Sequence, residues 1–206
     1  MQSILEGLSQ QIGGNTISQI SNQIGADEQS VANAISMALP MIVGGLANNA
    51  SDPAGAQSLN TALEQDHDGS LLDMIPVLLG GGAAPAANAR ALDGMGILEH
   101  ILGTRRAPVQ DSIERQTGLN GGQVMQVLMM LAPIVMAYLG RRKREEGLGP
   151  DGLGNVLQQE RQRMEQPESG FGGMLGQLFD QNGDGSVADD IARMAPGVLG
   201  GLLGRR

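Results

Sequence analysis

The chain is expected to be all-α: two related helix-turn-helix-like repeat units packed together, followed by a short helical C-terminal tail. Three observations lead to this fold class. Residues 116–140 (QTGLNGGQVMQVLMMLAPIVMAYLG) repeat residues 23–47 (QIGADEQSVANAISMALPMIVGGLA) at a constant offset of 93 without a gap, so that Gln23, Gly25, Val31, Met37, Pro40 and Leu46 return as Gln116, Gly118, Val124, Met130, Pro133 and Leu139. Apolar residues recur three and four apart, and no stretch shows the alternation of a half-buried strand. The only aromatics are Tyr138, Phe171 and Phe179, so twelve Met and the aliphatic residues must fill the core.

Each element follows from local chemistry. Ile4, Leu5, Leu8 and Ile12 mark a short amphipathic helix that Gly13 and Gly14 stop. Asn15 is placed to cap a helix carrying Ile17, Ile20 and Ile24 on one face, which Gly25 ends in the left-handed conformation. Asp27 is the expected N-cap of the next helix, and Asn120 takes that role in the second repeat. Pro40 and Pro133 stand inside apolar runs at equivalent positions, where each removes an internal hydrogen bond and is expected to kink or restart its helix. Asp52-Pro53 opens a helix with Leu59 and Leu63, and an acidic turn then leads to LLDMIPVLLG. Residues 80–91 are a Gly/Ala linker, and GILEHILG (96–103) precedes the second repeat. The repeats span about 15–50 and 107–143 within a domain of residues 1–147; a polar spacer covers 148–170, with 156–166 a candidate helix, and 171–206 form the C-terminal segment.

A length of 206 residues suits one domain with a tail, large enough to bury roughly 70% of the unfolded surface. The net charge is −9, and residues 1–104 hold ten acids against the single base Arg90. Such a balance repels nucleic-acid phosphate and anionic lipid unless basic residues are concentrated locally. The absence of cysteine excludes disulfides and thiolate chemistry. The N-terminal residues lack the basic and apolar regions of a secretory signal, so a cytoplasmic location is expected.

The motifs weigh against catalysis. GLGPDG (147–152) has dinucleotide-type glycine spacing but follows RRKREE rather than a strand, and no Ser lies in a nucleophile elbow. His67 and His100, the only histidines, cannot assemble an ordinary zinc site without cysteine. Residues 124–139 would span about 24 Å as a helix, short of the ~30 Å of a bilayer core, and Pro133 interrupts them. A core helix is the better reading, with Met125, Met129, Met130 and Met136 filling gaps or forming a self-association face. The helix-turn-helix spacing offers few basic residues to a phosphate backbone.

One motif carries specific chemistry. In DQNGDGSVADD (180–190), Asp180, Asn182 and Asp184 fall at positions 1, 3 and 5 of an EF-hand-type calcium loop, with Gly185 at the turn and the Ser186 carbonyl at position 7. Ile191 stands where a bidentate acid is required, so Asp190 would have to close the site through a shortened loop and binding would be weak. The competing reading makes Ser186 a helix cap with Asp189 as its acidic partner, and EQDHDGSLLD (64–73) repeats that pattern.

The repeated stretch, GILEHILG, LMMLAPIVMAYLG and LFDQNGDGSVADDI together resemble the YidB-like family of bacterial proteins of unknown function. The resemblance covers nearly the whole chain and is most specific over residues 96–140. It implies an all-helical, homeodomain-like domain and supplies no activity, substrate or catalytic residue. The expected role is therefore a structural or protein-interaction module, self-association included, and not an enzyme. A weak calcium-binding module is the alternative, with calcium as the one cofactor indicated. Nucleic-acid binding stands third, and an integral membrane role is disfavoured.

Overall fold

The computed structural model describes residues 3–67, 69–73 and 91–166. The chain divides into two compact units, Met1–Arg161 and Gln162–Arg206; only residues 162–166 of the second are described, and the architecture below is that of the first. Eight α-helices and no strand occur among the described residues. In chain order they are α1 (Ile4–Gln11), α2 (Gly14–Ile24), α3 (Glu28–Asn49), α4 (Pro53–Gln65), α5 (Gly94–Leu102), α6 (Arg106–Thr117), α7 (Gly121–Glu146) and α8 (Pro150–Glu165), with one 3-10 turn, Gly103–Arg105, before α6. The all-α expectation holds, and its physical basis is an aliphatic pattern that only helices can bury on one side.

The centre of the fold is the pair α3 and α7, which make the most extensive contact in the molecule. Their facing side chains, among them Val31, Ala34, Ile42, Val124, Leu128 and Leu131, are fully removed from solvent. Each Leu, Ile or Val so buried contributes roughly 1.5–3 kcal/mol. Both α2 and α6 pack against this pair, α5 lies across both long helices, α4 rests on α7, and α1 rests on α3.

The two repeats begin with matching local chemistry. Gly25 closes α2 at φ 65° and Gly118 closes α6 at φ 72°, the left-handed conformation in which a side chain is strained. Asp27 then accepts from Ser30 N at 2.8 Å, and Asn120 accepts from Gln123 N at 3.0 Å. Gln123 returns a bond to Asn120 N at 3.0 Å, which completes a capping box at the head of α7.

Both long helices run through Pro40 and Pro133 unbroken, so the restart expected there does not occur. Both prolines are buried, and packing of the surrounding turns holds the helix where one hydrogen bond is missing. The start of α2 also lies two residues earlier than expected: Gly13, not Asn15, is the N-cap, and no side chain caps that end. Most of LLDMIPVLLG and the Gly/Ala linker lie outside the described residues.

Helix α8 arises within the stretch assigned to a polar spacer. Leu153, Leu157 and Glu160 share one face of it and are all buried, Glu160 at 2% exposure. The Glu160 carboxylate accepts from Ser3 Oγ and from Leu5 N at 3.2 Å, placing a negative group at the N-terminal end of α1. Gln158 Nε2 donates to Ala47 O at 2.6 Å, so α8 holds the beginning of the chain and the end of α3 together.

Candidate functional site

The surface with the least conventional packing lies where α5 meets α7. Pro133 has no N–H to give the Met129 carbonyl, four residues earlier in α7. Gly94, the first residue of α5, comes against that same carbonyl: a Cβ built on Gly94 would stand 2.0 Å from Met129 O. Only glycine permits this approach, and the next residue, Met95, lies on the surface. Met95 is 36% exposed and is the one exposed large apolar side chain among the described residues. Met129 and Met125, one turn apart on α7, are half-buried, whereas Met136 is buried at 5% exposure. The methionines anticipated as a single stripe thus divide between core filling and a surface patch.

Charges of both signs border the patch. Arg106 Nη1 lies 3.2 Å from Met95 Sδ and 3.2 Å from Glu99 Oε1, while Arg105 in the adjoining turn is exposed. The pair is largely exposed and serves more to fix side-chain positions than to stabilise the fold.

The basic run at the end of α7 has a different role from the one its sequence invites. Arg141 pairs with Asp73 at 2.8 Å, Arg142 with Glu146 at 2.8 Å, and Lys143 with Glu64 at 2.8 Å. The Lys143 side chain is 12% exposed and Arg142 is 11% exposed. Hydrogen bonds from Lys143 and then Asn60 hold the Glu64 carboxyl below the usual range. Lys143 and Arg141 thus fasten α7 to α4 and to the turn after it, Arg142 pairs within α7, and all three charges are answered within the chain.

Gln123, a residue that a nucleic-acid reader could use, is also committed internally. Beyond its capping role, its Nε2 donates to Ile24 O at 3.3 Å and Gly25 O at 3.4 Å. The second repeat therefore grips the turn of the first. Sequence reasoning missed this contact, although Asn120 followed three residues later by Gln123 is the signature of the box that orients it. Asp27 is likewise spent on capping, and hydrogen bonds from Ser30 lower its pKa.

His67 and His100 lie far apart in sequence but line one cavity of about 220 Å³ between α3, α4, α5 and α7. His67 is 4% exposed and its Nδ1 is buried without a hydrogen-bond partner among the described residues, whereas His100 is exposed on α5. Desolvation lowers the His67 pKa, against an opposing pull from Asp66. Among the described residues, no three His, Asp or Glu side chains converge closely enough to hold a metal ion. The calcium-loop candidates Asp180, Asn182, Asp184, Ser186 and Asp190 lie outside the described residues.

Helices α3 and α7 are long and apolar enough to cross a bilayer, but 67% and 61% of their most apolar windows are buried within the protein. Core helices meet the same criterion, and burial on this scale accounts for their composition. Among known proteins, a family model described as bacterial protein of unknown function (DUF937) matches residues 6–142. No curated protein and no solved structure matches the chain.

Proposed function

We propose, for a chain that belongs to the bacterial DUF937 family of unknown function, a non-catalytic protein-interaction role in which two copies associate through the methionine patch. The observation that carries this reading is Met95, left 36% exposed next to the glycine that packs on the Met129 backbone, with Met129 and Met125 half-buried on α7. Methionine is unbranched and polarizable, so such a patch can adapt to an opposing surface without a preformed pocket. The border supplies both signs of charge in Glu99 and Arg105, and a two-fold contact would bring each opposite the other. The committed state of Arg141, Arg142, Lys143 and Gln123 favours this reading over nucleic-acid or anionic-lipid binding, which would need those side chains turned outward.

The reading has a definite salt dependence. Copies carrying −9 repel each other at low ionic strength, whereas apolar contact is not screened. Sedimentation velocity should therefore show association that rises with protein concentration and strengthens with salt. Met95→Asp combined with Met129→Asp should abolish it while leaving helicity unchanged. A wild-type chain that stays monomeric in high salt at its highest soluble concentration refutes the proposal, as does a double variant that associates like wild type.

A further inference from the structure

Met95 is the most exposed methionine among the described residues, at 36%. Met41, Met125, Met129 and Met130 are half-buried, and Met37 and Met136 are 5% exposed. The Met95 sulfur also has a fixed polar neighbour. Arg106 Nη1 lies 3.2 Å from Met95 Sδ, and Glu99, one turn further along α5, holds the same nitrogen at 3.2 Å. Gly94, pressed against Met129 O, anchors the backbone just before it. A thioether sulfur is a weak acceptor with two lone pairs. Arg106 donates toward one of them, which leaves the other to a reagent arriving from solvent.

We propose that Met95 is a site of reversible oxidation by hydroperoxides, forming one sulfoxide epimer, and that this oxidation disperses the self-associated form. The second part rests on the contact proposed above; the first stands on the Met95 and Arg106 geometry alone. In the forward step the open lone pair of Sδ attacks one oxygen of hydrogen peroxide. An S–O bond forms as the O–O bond breaks, the hydroxide that departs takes up the proton of the transferred oxygen, and water leaves. Sulfur is oxidised by two electrons and the peroxide is reduced by two. In the return step a thiol-dependent sulfoxide reductase removes the oxygen as water, and two thiols become a disulfide. Arg106 shields one face, so the new oxygen is placed on the other and a single configuration at sulfur results. The product is polar where Met95 was apolar. Burying that oxygen against a second copy, with no donor to meet it, is costly.

The test treats the full-length protein with hydrogen peroxide under native conditions and follows each methionine by peptide mass spectrometry. Met95 should oxidise several-fold faster than Met125 and Met129, and Met136 should be slowest. The two stereospecific methionine sulfoxide reductases read the configuration: one should restore Met95 and the other should leave it oxidised. Arg106→Ala should still oxidise at Met95 but give both epimers, so that each reductase restores only part. Sedimentation velocity should show the oxidised protein dispersed and the repaired protein associated again, while Met95→Leu should associate before and after peroxide. The oxidation site is overturned if Met95 reacts no faster than Met125 and Met129, or if wild type and Arg106→Ala give the same mixture of epimers. The switch is overturned if protein fully oxidised at Met95 associates like the reduced form, or if peroxide disperses Met95→Leu. A reduced protein that never associates removes the contact and the switch with it, while the rates and epimers still decide the oxidation site.

Discussion

Three glycines in the two central helices offer a graded test of the packing. Gly44, Gly45 and Gly140 all lie inside long helices, where replacing Gly by Ala normally gains about 0.5–1 kcal/mol. Their surroundings differ. A Cβ on Gly44 meets nothing within 4 Å; on Gly45 it would stand 2.7 Å from Ile101 Cγ2 and 3.1 Å from Ile101 O; on Gly140 it would stand 1.7 Å from His67 O. Gly44→Ala should therefore show the helix gain undiminished and raise the melting temperature by roughly 1–4 °C for a domain of this size. In Gly45→Ala the Ile101 methyl can yield but its carbonyl cannot, so gain and strain should nearly cancel. In Gly140→Ala the obstacle is backbone, and overpacking of about 1–3 kcal/mol should exceed the helix gain and lower the melting temperature by several degrees. Thermal unfolding followed by far-ultraviolet circular dichroism reads all three. A Gly140→Ala protein as stable as Gly44→Ala would refute the close approach of the His67 carbonyl to α7.

Asn120→Ala should cost about 1 kcal/mol as a lost helix cap. Gln123→Ala should act on the same box, so the double variant should lose less than the sum of the single ones in chemical denaturation. His67 supplies a pH dependence. Its folded pKa lies below the ordinary value of 6.5, so the unfolded chain takes up the proton first. The stability that neutral His67 confers is thus fully present above pH 6.5 and is lost as the pH falls toward the lower folded value. His67→Gln should flatten that part of the stability profile; a wild-type slope retained in the variant would refute the assignment to His67. Calorimetry should detect calcium binding at about 10⁻⁴–10⁻³ M if residues 180–190 form a shortened loop, and Asp184→Asn should remove the heat. No heat at millimolar calcium leaves Ser186 as a helix cap.

The fold was legible wherever a local rule acted alone. Gly25 and Gly118 end helices because their position needs positive φ, and Asp27 and Asn120 begin helices because a short polar side chain can reach the free amides. Neither inference requires knowledge of a distant residue. The prolines expose the limit of local rules. A missing hydrogen bond is equally visible at Pro40 and Pro133, but whether the helix breaks depends on the packing around it, and both helices continue. The packing of α8, whose stretch 156–166 was a candidate helix in a polar spacer, was obscured for the opposite reason. Its apolar residues are sparse, and the Glu160 that completes its buried face looks like a surface charge until Ser3 and the Leu5 amide are brought to it.

Surface chemistry was less legible, since a charged or amide side chain carries no sign of the partner it will meet. The run from Arg141 to Arg144 looks like a basic patch in sequence, yet Glu64 and Asp73, distant along the chain, neutralise two of its members. Gln123 looks available for recognition and instead holds the turn at Gly25. Both redirections have the same effect: groups that might engage an outside anion are used to bind one repeat to the other and α7 to α4. The one large apolar side chain left exposed among the described residues is Met95, next to Gly94. That glycine lies against the carbonyl that Pro133 leaves without its helical partner, so the proline and Met95 can be tested together. Replacing Pro133 by Ala should restore the hydrogen bond to Met129 O and draw that carbonyl back toward the helix axis. Amide exchange at residue 133 would report the new bond, and chemical shifts at Gly94 and Met95 should move with it. Unchanged shifts at those two residues would separate the proline from the patch.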